Sequence, residues 1–155
     1  MFTVVIPARY GSTRLPGKAL LRIKGKPMIA WVWEQAMRAG ADRVCIATDD
    51  ARIRDEMVGR GAEVQMTNPA HTSGTDRLAE VVQQLSLTDD TIIVNVQGDE
   101  PLMPVANIQR VAAMLSEQSN ADMATLMEPL AIEEAAKASV VKVVVSETGR
   151  ALYFS

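Results

Sequence analysis

The chain is poor in the residues that carry covalent and metal chemistry. Among its 155 residues there is one cysteine, Cys45, and one histidine, His71. A single cysteine excludes an intramolecular disulfide and suits a reducing compartment. Cys45 lies in the apolar run Val44-Cys45-Ile46-Ala47, where a small core thiol is expected rather than a nucleophile. A single histidine excludes any mechanism that needs a histidine pair or a histidine metal cluster, and His71 is expected to be an ordinary loop residue. A basic excess is also missing: 16 Lys and Arg stand against 19 Asp and Glu, a net charge of -3. That balance argues against nucleic acid or an anionic membrane as the main partner. No apolar run approaches the roughly 20 residues that cross a bilayer. Met1 is followed at once by a strand-like segment where a secretory signal needs a charged region and an apolar core. A cytoplasmic protein without membrane or nucleic-acid partners is expected.

Three familiar motifs are missing too. No G-x-G-x-x-G follows the first apolar run, so a dinucleotide site lacks its fingerprint. No G-x-S-x-G elbow is present, and a serine triad would have to rely on His71 alone. The stretch Arg9-Tyr10-Gly11-Ser12-Thr13-Arg14-Leu15-Pro16-Gly17-Lys18 looks at first like a phosphate loop of the G-x-x-x-x-G-K-[ST] type. Five residues separate Gly11 from Gly17, however, and Ala19 stands where the metal-binding hydroxyl belongs. Pro16 also removes one N–H donor. Such a loop is expected to meet phosphates with side chains rather than with a nest of amides.

What is present is a regular alternation of short apolar runs and longer stretches of helical period, the pattern of βαβ units around a mostly parallel sheet. Strands are expected at Val4–Ile6, Arg43–Thr48, Glu63–Met66 and Thr91–Val96. The last is the most β-branched and is expected to be central and buried. Helices are expected from Pro27 to a stop at Gly40, over Ala51–Arg60, Thr75–Leu85 and Val105–Ser116. The segment 139–154 reads as a β-hairpin around Ser146-Glu147-Thr148-Gly149-Arg150. The whole, 1–155, reads as one α/β nucleotide-binding domain. It stops at Tyr153-Phe154-Ser155 in a strand pattern, so a fragment of a longer protein is expected.

Ligands of open α/β sheets bind at the carboxyl ends of the strands. The first strand delivers Arg9, Ser12, Arg14 and Lys18 to that edge, and the second delivers Thr48-Asp49-Asp50. The turn before the third helix delivers Thr72-Ser73-Gly74-Thr75-Asp76-Arg77. The strand ending at Val96 delivers Gln97-Gly98-Asp99-Glu100. Cations beside an acidic strand end suit a polyphosphate with a divalent metal: Arg14 and Lys18 can neutralise phosphate oxygens, and Asp99 can hold Mg²⁺. Ser73 to Asp76 can equally cap the helix that follows.

The motifs VVIPARYGSTRLPGKAL, GKPMI, ATDD, SGTDRLAEV, VNVQGDEP and VKVVVSETGRALYFS together resemble the 3-deoxy-manno-octulosonate cytidylyltransferase family, in order and over essentially the whole chain. The resemblance implies a Rossmann-like nucleotidyltransferase fold, CTP and 3-deoxy-D-manno-octulosonate (Kdo) as substrates, Mg²⁺ as cofactor and a homodimer. By position, Arg9, Arg14 and Lys18 grip the triphosphate and Ser12 hydrogen-bonds it. Pro7 and Ala8 present backbone groups to the cytosine. Ser73, Gly74, Asp76, Arg77 and Gln97 complete the nucleotide pocket, and Asp99 is the metal ligand. The family's chains run on beyond the equivalent of Ser155, with a second metal aspartate and the sugar-acid site in that part. A cytidylyltransferase for another sugar acid such as sialic acid, or a non-catalytic nucleotide-binding module, are the competing expectations.

Overall fold

A computed structural model describes residues 1–11, 15–118 and 120–155. These form two compact units, Met1–Ala124 and Thr125–Ser155. The expected domain 1–155 has its sheet and helices in the first unit and its hairpin in the second.

In the first unit four parallel strands, β1 (Phe2–Ala8), β4 (Arg43–Thr48), β5 (Glu63–Met66) and β6 (Ile92–Asn95), lie in the order β5-β4-β1-β6. The register pairs Val5 with Cys45 and Ile6 with Ile46, and on the other side Val4 with Val94. Thr3 to Ile6 are buried in succession, because a parallel strand between two neighbours is covered on both faces and has no solvent side to alternate with. Pro7 is tolerated in an interior strand because β6 has left the ladder there, its pairing ending at Val5 with Asn95.

Alternate residues of β1 serve opposite layers. Val4 and Ile6 pack with Ile29 and Val32 of α1 (Met28–Met37), Ile53 and Met57 of α2 (Ala51–Val58) and Ile108 of α4 (Val105–Glu117). Val5, Cys45 and Ala47 face Leu78 and Val81 of α3 (Gly74–Gln84). Cys45 is fully buried, as its apolar run predicts, and burial pushes its thiol up to about 12.

Helix boundaries follow local chemistry. Pro27, with φ -56°, opens α1, and Gly40 at φ +74° ends the turn after it in a conformation that costs glycine little. The Asp50 carboxylate accepts from the Arg52 N–H at the start of α2. Between β1 and α1 stand a 3₁₀ turn, Lys18–Leu20, and a two-stranded ribbon, β2 (Arg22–Ile23) and β3 (Lys26–Pro27). Lys24 and Gly25 at its tip both have positive φ, 50° and 79°, as a two-residue hairpin turn demands. That ribbon has no counterpart in the sequence reading.

One expectation is corrected. The strand expected to be central, Thr91–Val96, holds β6, which among the described residues is the edge of the four-stranded sheet, with Asn95 exposed. Its apolar side chains serve both layers, Val94 and Val96 one and Ile93 the other. The β-branched run therefore reports coverage of the two faces, not a place in the strand order.

In the second unit β7 (Val143–Val145) and β8 (Ala151–Phe154) form the expected antiparallel hairpin, with a bulge at Val144/Val145. Ser146 closes the turn, its hydroxyl accepting from the Arg150 N–H at 3.1 Å, and Gly149 takes φ +81°. A 3₁₀ turn, Ile132–Glu134, precedes it.

Candidate functional site

The strand order reverses between β1 and β6. The chain moves outward from β1 through β4 to β5, then returns to the other side of β1. Crossovers on either side of such a point leave a crevice at the carboxyl ends of the two strands. Here it is a cleft of about 270 Å³.

Three of the four segments named above reach it; Thr48-Asp49-Asp50, expected at this edge, does not line it, its carboxylates being taken by Arg77 and by the start of α2. Pro7, Ala8 and Arg9 enter from the end of β1, and Lys18 from the 3₁₀ turn. Ser73, Gly74 and Arg77 enter from the first turn of α3, and Gln97 and Asp99 from the loop after β6. Ser12 and Arg14 lie outside the described residues.

Lys18 and Asp99 meet across the cleft. The Lys18 Nζ donates to Asp99 Oδ2 at 2.7 Å, both side chains nearly half exposed. An ion pair so open to water contributes little stability. Its significance is positional: a cation and a carboxylate face each other in one cleft. Glu100, next along, is held above the usual carboxylate value by partial burial and then by the charge of Asp99.

Asp99 is the one carboxylate on the cleft wall among the described residues. No group of three or more His, Cys, Asp or Glu side chains among them could enclose a metal. The donor set therefore fits a hard cation that takes a single carboxylate and completes its shell from phosphate oxygens and water.

Asp76 does not line the cleft. Its carboxylate accepts from the Ser73 hydroxyl at 2.7 Å, while Ser73 Oγ accepts from the Asp76 N–H at 3.1 Å. The pair is a capping box for α3, and the Ser73 hydrogen bond holds Asp76 below the usual carboxylate value. The amino end of α3 nonetheless opens on the cleft, where its unpaired N–H groups favour acceptor oxygens and negative charge.

Arg77 borders the cleft but its guanidinium is committed elsewhere. Only 3% exposed, it donates to Asp49 Oδ2 at 2.8 Å and to the Thr67 hydroxyl. It thereby ties α3 to the loops after β4 and β5, behind the wall.

His71 and Gly98 have roles at the cleft that their sequence context does not assign. His71, expected to be an ordinary loop residue, stands on the cleft wall with Nε2 2.5 Å from Glu80 Oε2. Glu80 is held below the usual carboxylate value first by the Asn68 N–H and then by His71. Gly98 is forced by close approach. A Cβ there would stand 2.8 Å from the Pro7 carbonyl oxygen and 3.2 Å from Ile29 Cδ1. The glycine before Asp99 was the available signal, since a residue without a Cβ next to a site often marks a tight backbone approach.

No helix among the described residues is long and apolar enough to cross a membrane.

Comparison with known proteins shows the family. A family model described as cytidylyltransferase matches residues 3–155. The 3-deoxy-manno-octulosonate cytidylyltransferases of Pseudomonas fluorescens and Aliivibrio fischeri are each 58% identical over 155 residues, covering 99% of this chain and 61% and 62% of their own lengths. The chain thus spans about 61% of the length of the curated relatives it matches. A solved structure of CMP:2-keto-3-deoxy-manno-octonic acid synthetase complexed with CTP is 43% identical, with a TM-score of 0.93 over 100% of this chain and 64% of that one. A cytidylyltransferase from Leptospira borgpetersenii, 21% identical with a TM-score of 0.64 over 77% of this chain and 51% of that one, shares the fold.

Proposed function

We propose, from the premise that this chain belongs to the cytidylyltransferase family, that it is the nucleotide-binding part of an enzyme converting CTP and Kdo to CMP-Kdo and pyrophosphate. The product is the activated sugar acid for lipopolysaccharide biosynthesis. The observation that carries the reading is the meeting of Lys18 and Asp99, 81 residues apart in sequence and 2.7 Å apart in space. A cation from the expected phosphate loop and the expected metal carboxylate share one cleft at the switch point of the sheet. The 58% identity to proteins of that name supports the choice of substrates.

In this reading Arg9, Arg14 and Lys18 take the triphosphate, with Ser12 hydrogen-bonding it. Pro7 and Ala8 offer backbone groups to the cytosine. Ser73, Gly74 and Gln97 close the pocket around the nucleoside, and Arg77 and Asp76 hold that wall in place. Asp99 holds Mg²⁺, which when bound neutralises phosphate charge. The anomeric 2-hydroxyl of Kdo forms a bond to the α-phosphorus while the α–β bridging oxygen leaves with pyrophosphate. Such a transfer asks for positioning and charge neutralisation, so the chemistry calls for no nucleophilic cysteine or histidine pair. A cytoplasmic homodimer completes the proposal.

The test is pyrophosphate release from CTP and Mg²⁺, with Kdo, with sialic acid and without either. Release that depends on Kdo is the expected result for the enzyme carrying this chain. Release with sialic acid and not with Kdo would replace the sugar acid. CTP binding without release by the 155-residue chain would assign it the binding role alone.

A further inference from the structure

Arg9 and Lys18, the cleft-wall cations contributed by the segment after β1, flank a loop whose ends touch. Tyr10 follows Arg9, Gly17 precedes Lys18, and the Gly17 N–H donates to the Tyr10 carbonyl at 2.9 Å. Gly17 has φ +70°, and a Cβ there would lie 3.0 Å from Cε2 and Cζ of the Tyr10 ring. Only glycine allows both the left-handed backbone and the ring contact. Above the same ring stands Arg52 from the first turn of α2, its Cζ 3.3 Å from the ring centroid. The guanidinium is oriented by a fork to Asp50, with Nε 2.9 Å from Oδ1 and Nη2 2.6 Å from Oδ2. Asp50 in turn is fixed as the cap of α2. The arrangement runs unbroken from a helix terminus, through a planar ion pair and an aromatic ring, to the neck of the loop.

We propose that Arg52 and Tyr10 are positioning residues of the nucleotide site: the Asp50-held guanidinium clamps the Tyr10 ring over Gly17 and so sets the spacing of Arg9 and Lys18 for a triphosphate. The proposal rests on the reading of the cleft as a CTP site. Neither residue lines the cleft, so each acts through the loop. Because Arg52 is 59% exposed on its helix, replacing it leaves the core intact.

The experiment compares the unaltered chain with Arg52→Ala and Tyr10→Phe, measuring amide exchange at Gly17, affinity for CTP and for CMP, and thermal midpoint. In Arg52→Ala, loss of an exposed cation–aromatic contact speeds Gly17 exchange about threefold or more and weakens CTP to a similar degree. CMP, with one phosphate, binds as before, and the thermal midpoint holds. Tyr10→Phe keeps the ring and behaves as the unaltered chain. Unchanged Gly17 exchange in Arg52→Ala overturns the proposal whatever the nucleotides do, and so does equal weakening of CTP and CMP. Absence of CTP binding by the unaltered chain overturns the reading of the cleft instead, and Gly17 exchange then decides the clamp by itself.

Discussion

Replacing Arg77 with methionine keeps the length and packing of its stem while deleting the guanidinium. Two partners lose their donor: Asp49, 16% exposed and 2.8 Å away, and the Thr67 hydroxyl, 6% exposed as a residue. Removing one member of a buried charged pair costs up to 3–5 kcal/mol, but water reaches part of Asp49. With one charged hydrogen bond lost and one hydroxyl left unpaired, the expected loss is about 2 to 3 kcal/mol. For a chain of this size that corresponds to a fall in thermal midpoint of about 5 to 10 °C. Equilibrium urea unfolding followed by tryptophan fluorescence reads the right unit, since Trp31 and Trp33 both lie on α1. The double variant Arg77→Met/Asp49→Asn should lose about 1 kcal/mol less than the sum of the single losses, because the stranded charge is gone. A loss under about 0.5 kcal/mol for Arg77→Met, or strict additivity, would refute the view of Arg77 as the tie between α3, β4 and β5.

Gly98→Ala should cost about 1 to 3 kcal/mol and weaken CTP binding together, since the new methyl must displace the Pro7 carbonyl rather than a flexible side-chain end; unfolding and titration on the same sample check both. Ser73→Ala removes the cap of α3 and should cost about 1 kcal/mol at neutral pH. Asp76 is depressed mainly by that hydroxyl, so its contribution is present above the ordinary value of 3.8 and fades as pH falls through its lower folded value. Stability curves of the two proteins should therefore converge in acid. Cys45, with its thiol pushed up to about 12 by burial, should be inert to a thiol reagent at pH 8 in the native chain and react fully in urea.

The sequence carried most of the first unit because its signals there are local. Strand β1, for instance, is a continuous apolar run, and α1 sits between Pro27 and Gly40. The small ribbon of β2 and β3 escaped because two residues have no period. The edge position of β6 escaped because strand order depends on which side of β1 each crossover returns to, and Ile92 to Asn95 carry no mark of that. For the site, Lys18 and Asp99 were legible as residue types at strand ends that have no reason to be in a core. The commitment of Arg77 to Asp49 and Thr67, and the seating of His71 against Glu80, join positions that no local pattern connects.

In the proposed function the cleft at the switch point between β1 and β6 takes CTP through Lys18. Titration of the chain with CTP and Mg²⁺, repeated on Lys18→Ala, addresses it most directly. Loss of a charge-assisted phosphate contact predicts affinity at least about tenfold weaker in the variant, with the fold retained by circular dichroism. CTP binding of equal strength in the two proteins would remove Lys18 from the nucleotide site.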